Sequence, residues 1–102
     1  MAIAQATIGT GATTVYTSSG ESAVTAIFFM NDNASARTLD LHVVKSGDTL
    51  AATNKIVKTI TIDPADTYVI NTEKIILANG DMIQAKASAG TAVTATVSYV
   101  SI

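Results

Sequence analysis

The chain has 102 residues, of which 48% are hydrophobic and 14% charged, with a formal net charge of −2 and no cysteine. This length predicts a single domain, residues 1–102, with a modest core. The weak, slightly acidic charge argues against binding to nucleic acid or to an acidic membrane surface, and the missing cysteine excludes disulfides and thiolate metal sites. The basic residues are scattered singly: Arg37, Lys45, Lys55, Lys58, Lys74 and Lys86.

Turn residues recur about every eight to twelve positions in a sequence dominated by Thr, Val, Ile, Ala and Ser, which is typical of an all-β domain. The predicted strands are 4–9, 13–18, 24–31, 37–45, 54–62, 67–70, 81–88 and 92–102. One helical turn is predicted within 71–77. The sequence therefore predicts an antiparallel β-sandwich of about eight strands, jelly-roll or immunoglobulin-like in topology.

Alternating polarity in three of these strands predicts which side chains face the core. Lys58 interrupts the inward row of 54–62, which predicts a rim position or an edge strand. The predicted inward residues are Leu39, Leu41, Val43, Ile56, Ile60, Ile62, Val93, Ala95, Val97 and Tyr99.

The strand 24–31 carries two adjacent phenylalanines, which must point to opposite faces. The row containing Phe28 is wholly apolar, whereas the row containing Phe29 is bounded by Thr25 and Asn31. We therefore predict that Phe28 lies in the core and that Ile27 and Phe29 form an outward pair. An outward apolar pair indicates contact with a partner, and a covering loop of the same chain is the alternative.

No combination of residues predicts catalysis, a cofactor or a metal ion. His42 and Asp40 share one strand face, but no nucleophile elbow or oxyanion hole accompanies them, so we expect a solvated polar face. The pair of glycines in 9–14 lacks the third glycine and the following helix of a phosphate site, which predicts a bend or hairpin. The protein is therefore predicted not to be an enzyme.

Two features of the sequence bear on where the protein resides. The stretch MAIAQATIG (1–9) has no basic n-region, so we expect no ordinary signal peptide. The longest apolar run, 26–30, is far shorter than a membrane-spanning helix. We expect a protein that stays in a cytoplasm or leaves it by lysis or assembly.

Four segments together resemble the small β-sandwich virion proteins of tailed bacteriophages, which act as head decoration proteins or minor tail components. They are 13–32, 39–49, 68–88 and 93–102, and the most characteristic part is EKIILANGDMIQAKAS (73–88) with the terminal SYVSI (98–102). The resemblance covers nearly the whole chain and contains no catalytic motif. It implies a non-enzymatic homo-oligomer located in a virion assembled in the host cytoplasm.

The function predicted from these observations is capsid decoration or cementing, with the major capsid protein or tail proteins as further partners. A tail or baseplate component is the alternative within the same class. A carbohydrate-binding or adhesion module is the alternative from another class, and it would require an exposed aromatic platform.

Overall fold

A computed structural model describes residues 2–70, 75–88 and 93–102, and these residues form an all-β domain, as predicted. Its elements include nine strands and a 3-10 turn, η1, at Ala52–Asn54. The strands are β1 (Ala2–Ile8), β2 (Thr13–Thr17), β3 (Ser22–Asn31), β4 (Arg37–Val44), β5 (Lys55–Ile62), β6 (Thr67–Ile70), β7 (Ile75–Leu77), β8 (Met82–Ala87) and β9 (Val93–Ser101).

The strands form two antiparallel sheets with nested pairing. The first sheet has the order β1-β9-β3-β6, with β7 also paired to β3, and the second has the order β2-β8-β4-β5. The first strand thus pairs with the last, β2 with β8, β3 with β6 and β7, and β4 with β5. With β6 and β7 sharing one strand position, this is the jelly-roll arrangement rather than the immunoglobulin one.

The core lies between the two sheets. Its largest fully buried side chain is Phe29, which lies among aliphatic side chains from both sheets. Tyr16 and Tyr99 stack with ring centroids 4.1 Å apart, and the Tyr16 hydroxyl donates to Ser22 Oγ at 3.0 Å. The buried or partly buried core therefore includes most of the predicted inward residues: Leu39, Leu41, Val43, Ile60, Ile62, Val93, Ala95, Val97 and Tyr99.

Ile56 is the exception, because it is 51% exposed. Leu39 pairs with Ile60 and Leu41 pairs with Val57, so β5 places two residues opposite Asp40 where β4 has one. Such a bulge shifts the alternation by one position, and Val57 packs against the core instead. Strand β5 does lie at the edge of its sheet, as predicted.

The helical turn predicted within 71–77 is wrong for its last part, because Ile75–Leu77 form β7. Residues 71–74 lie outside the described part of the chain. Conversely, the sequence did not predict η1, which follows a turn after β4 and lies beside that strand.

Candidate functional site

The two phenylalanines of β3 face the opposite way from the prediction. Phe29 is fully buried and Ile27 is 1% exposed, whereas Phe28 is 40% exposed. The core assignment of Phe28 and the surface assignment of Ile27 and Phe29 are therefore wrong. In the folded domain neither Ile27 nor Phe29 is available for contact with a partner.

A bulge in β3 explains part of this error. Val24 pairs with Tyr99 and Ala26 pairs with Ser98, so Thr25 is an extra residue between them. Val24 and Ile27 consequently both reach the core, although strict alternation would place them on opposite faces.

Asn31 explains the rest of the error in β3. This polar residue lies in the same row as Phe29, and the row faces the core. It is fully buried, and its Nδ2 donates to the carbonyl oxygens of Ser35 and Ile62, each at 2.9 Å. Its Oδ1 accepts from the backbone N–H of Asn33 at 3.1 Å. A buried polar side chain with its hydrogen bonds satisfied is compatible with a core position, so the polar end of the row did not indicate solvent.

The described strands of the first sheet, β1, β3, β6, β7 and β9, carry no charged residue, and we call their outward side the uncharged outer face. The strands of the second sheet, in contrast, contain Arg37, Asp40, Lys55, Lys58 and Lys86. The distribution of charge thus distinguishes the two sides of a domain that has 14 charged residues.

Three apolar side chains are exposed side by side on this uncharged face, and we call them the Phe28 patch. Phe28 and Val69 are directly opposite each other on β3 and β6, and both are 40% exposed. Met30 lies two residues further along β3 and is 38% exposed. Adjacent exposed side chains of this kind mark contact surfaces, and here they can be desolvated without removing water from an ion.

Uncharged polar side chains continue the face on one side of the Phe28 patch. Thr96 pairs with Phe28, and Thr94 pairs with Met30. Beyond them, Gln5 and Thr7 of β1 border a shallow depression of about 360 Å³ over β1 and β9. At the other end of the sheet Ile76 and Val100 are exposed on either side of Ala23. The face therefore combines apolar and hydroxyl groups, like the contact surfaces of many protein interfaces.

Of the predicted polar pair on β4, His42 is buried, whereas Asp40 is partly exposed. His42 is 3% exposed, and its Nδ1 lies 2.7 Å from the Oδ1 of Asn54, which belongs to η1. Asp40 accepts from the backbone N–H of Thr59 at 2.6 Å and lies 3.4 Å from Lys55 Nζ. These contacts hold η1 and the bulge of β5 against β4, which is a structural role.

Ionised Asp40 should make the stability of the domain depend on pH. Burial raises the pKa of its carboxyl, but the Thr59 hydrogen bonds and the Lys55 ammonium lower it more, so the pKa lies below its ordinary value. Ionised Asp40 stabilises the folded domain, because its carboxyl has a lower pKa in the folded state than in the unfolded chain. This stabilisation is complete at a pH above the unfolded pKa, and it is lost as the pH falls through the lower, folded-state pKa.

We therefore expect Asp40→Asn to reduce stability at neutral pH and to weaken its dependence on acid below about pH 4. Urea unfolding of both proteins over that range would measure the difference. Lys55→Gln, which removes one of the groups that lower this pKa, should give a smaller effect of the same sign. Identical stability profiles for wild type and Asp40→Asn would contradict this role.

No ligand or metal centre is evident in the described parts of the chain. Within 2–70, 75–88 and 93–102, no three His, Asp or Glu residues converge as metal ligands. A pocket bordered by Asp40, Thr59 and Lys86 has a volume of about 170 Å³. The depression over β1 and β9 is larger, at about 360 Å³, but it is shallow and bordered by uncharged side chains. Helices that are long and apolar enough to cross a membrane are also absent from these residues.

Known proteins give no further guide to the function. The chain matches no protein-family model, no curated protein and no solved structure. We take the uncharged outer face of the first sheet as the candidate functional site, because it carries the exposed Phe28 patch.

Proposed function

We propose that the protein is a non-enzymatic structural component of a bacteriophage particle, which decorates or cements the capsid. The observation that carries this proposal is the uncharged outer face of the first sheet with its exposed Phe28 patch. An apolar surface without ions suits permanent contact with another protein, because its burial gains free energy without an ionic desolvation cost.

The fold is compatible with this role. Jelly rolls recur in viral capsid proteins, although they also occur in lectins and cupins, so the topology alone does not decide the function. The resemblance of 73–88 and 98–102 to virion proteins, which include both head decoration and minor tail components, favours a virion component among these possibilities. A tail or baseplate position would use the same contact chemistry.

The arrangement of the aromatic residues disfavours the carbohydrate-binding alternative. The exposed aromatic rings on the first sheet are Phe28 and Tyr68. Phe28 pairs with Val69, whereas Tyr68 pairs with the core residue Phe29. Because directly paired residues share a face, the two rings point to opposite sides of the sheet. They cannot form one stacking platform for a sugar.

The direct test is to measure how many copies of the protein a purified particle contains. Quantitative mass spectrometry against the major capsid protein would provide this number. A number proportional to the capsid subunits supports decoration, whereas a small fixed number places the protein on the tail. Absence from the particle contradicts the proposal.

The contact face can be tested separately with particles that lack this protein. Phe28→Lys should leave the fold intact because the side chain is already exposed, but it should weaken binding to the particles by at least about tenfold, or about 1.4 kcal/mol. Thr61→Lys, at an exposed position of β5 in the second sheet, is the matched control and should bind normally. Normal binding by Phe28→Lys would show that the partner contacts another surface.

A further inference from the structure

In the described residues the two sheets have four edges, and three of them differ from the fourth in features that discourage pairing with another strand. The first sheet ends at β6 and β7, whose described residues number 4 and 3. The second sheet ends at β2, which has 5 residues and a bulge between Thr14 and Tyr16, and at β5, which carries Lys55 and two irregularities of register. Short strands, bulges and lysines are the usual protections of a sheet edge.

Strand β1, the fourth edge, has none of these protections. It has 7 residues, AIAQATI, with no charged residue, proline or glycine. Its pairing with β9 is continuous from Ala2 to Ile8 without a bulge. Within the described part of the chain no strand pairs with its other side. Every second residue of such an edge directs its N–H and C=O groups away from the sheet, where they can pair with another strand.

We infer that β1 pairs with β1 of a second copy of this chain, in antiparallel orientation, to form a dimer with one continuous sheet. A two-fold axis at Gln5, the middle residue of β1, places Gln5 opposite Gln5 of the second copy. It also places Ile3 opposite Thr7 and Ala4 opposite Ala6 of the second copy.

The side chains favour a second copy as the occupant of this edge. On the outer face of β1, Ile3, Gln5 and Thr7 form an exposed, uncharged row. When this row lies beside the same row of a second copy, no like charges meet. On the inner face, Ala4 and Ala6 are small and only partly buried, so two rows of them can approach without steric conflict.

The resulting dimer is closed. A two-fold interface uses the same edge of both subunits, so no unpaired β1 edge is left to recruit a third chain. The remaining edges, being protected, do not extend the sheet into a fibre. Pairing would also join the uncharged outer faces of the two first sheets into one larger surface. This self-association goes beyond the proposed virion role and is tested on the purified chain alone, so its failure would leave that role untouched.

Site-specific crosslinking provides the test, because the chain contains no cysteine. In the dimer, Gln5→Cys places two thiols opposite each other with Cβ atoms about 4.5–5.5 Å apart, close to the separation that a disulfide requires. Thr61→Cys, an exposed position on β5 of the second sheet, is the matched control. We expect at least about tenfold more disulfide-linked dimer from Gln5→Cys under mild oxidation.

The register gives a second readout. Ile3→Cys and Thr7→Cys should crosslink when the two variants are mixed and should crosslink weakly when each is alone. In the uncrosslinked wild-type dimer, amide exchange should show protection at consecutive residues of β1 rather than at every second one. Equal crosslinking of Gln5→Cys and Thr61→Cys, or protection at alternate residues only, would overturn the inference.

Discussion

Replacement of Phe29 by alanine is expected to destabilise the domain by about 3–5 kcal/mol. The ring is fully buried between the two sheets, so its removal loses the transfer free energy of the side chain and leaves a cavity. Since a small domain has a total stability of about 5–15 kcal/mol, much of this variant should be unfolded at moderate urea concentrations. Urea unfolding followed by circular dichroism would measure the loss.

The adjacent ring provides the matched control. Phe28→Ala removes the same atoms from a side chain that is 40% exposed, and its cost should be about 1 kcal/mol. The comparison therefore separates burial from residue type. Equal destabilisation by the two variants, or a larger effect of Phe28→Ala, would contradict the face assignment in β3.

Replacement of Asn31 by alanine is expected to cost about 2–3 kcal/mol, although it removes only a short polar side chain. Asn31 Nδ2 donates to the carbonyl oxygens of Ser35 and Ile62, each at 2.9 Å, and the hydrogen bond to Ile62 is buried. Without the amide, that carbonyl has to remain buried without its partner, and an unsatisfied buried polar group costs more than an ordinary hydrogen bond contributes.

Asn79→Ala is the control for this prediction. Asn79 Oδ1 accepts from the N–H of Gly20 at 2.8 Å in an exposed hydrogen bond, so water can replace the side chain. We expect its effect on the free energy of unfolding to remain within about 1 kcal/mol. If the Asn79 variant were the less stable of the two, Asn31 would not be the polar group that holds the end of β3.

The amino-acid sequence alone determined the class of the fold and the position of most strands. Regular alternation in 92–102 and in the first part of 37–45 predicted correctly which side chains of β9 and β4 face the core, because these stretches contain no bulge. The bend at 9–14 was also readable, since Gly9 and Gly11 precede strand-forming residues; in the structure it connects β1 in the first sheet with β2 in the second.

Only the tertiary structure decided which face of β3 and β5 is buried. A bulge adds one residue without a distinct sequence signal, and it inverts every assignment beyond it. Asn31 and His42 could not be placed from the sequence for a related reason. Their burial depends on partners, the carbonyl of Ile62 and the side chain of Asn54, that come from later parts of the chain.

The candidate site also depended on the tertiary structure. Each strand of the first sheet is visibly uncharged in the sequence, but β1, β3, β6, β7 and β9 are interrupted by the charged strands β4 and β5. Nested pairing of segments that are distant in the chain brings the uncharged strands together. The sequence by itself therefore contained the composition of the contact face, whereas the topology decided that the face exists, because side chains form a surface only when their strands are neighbours.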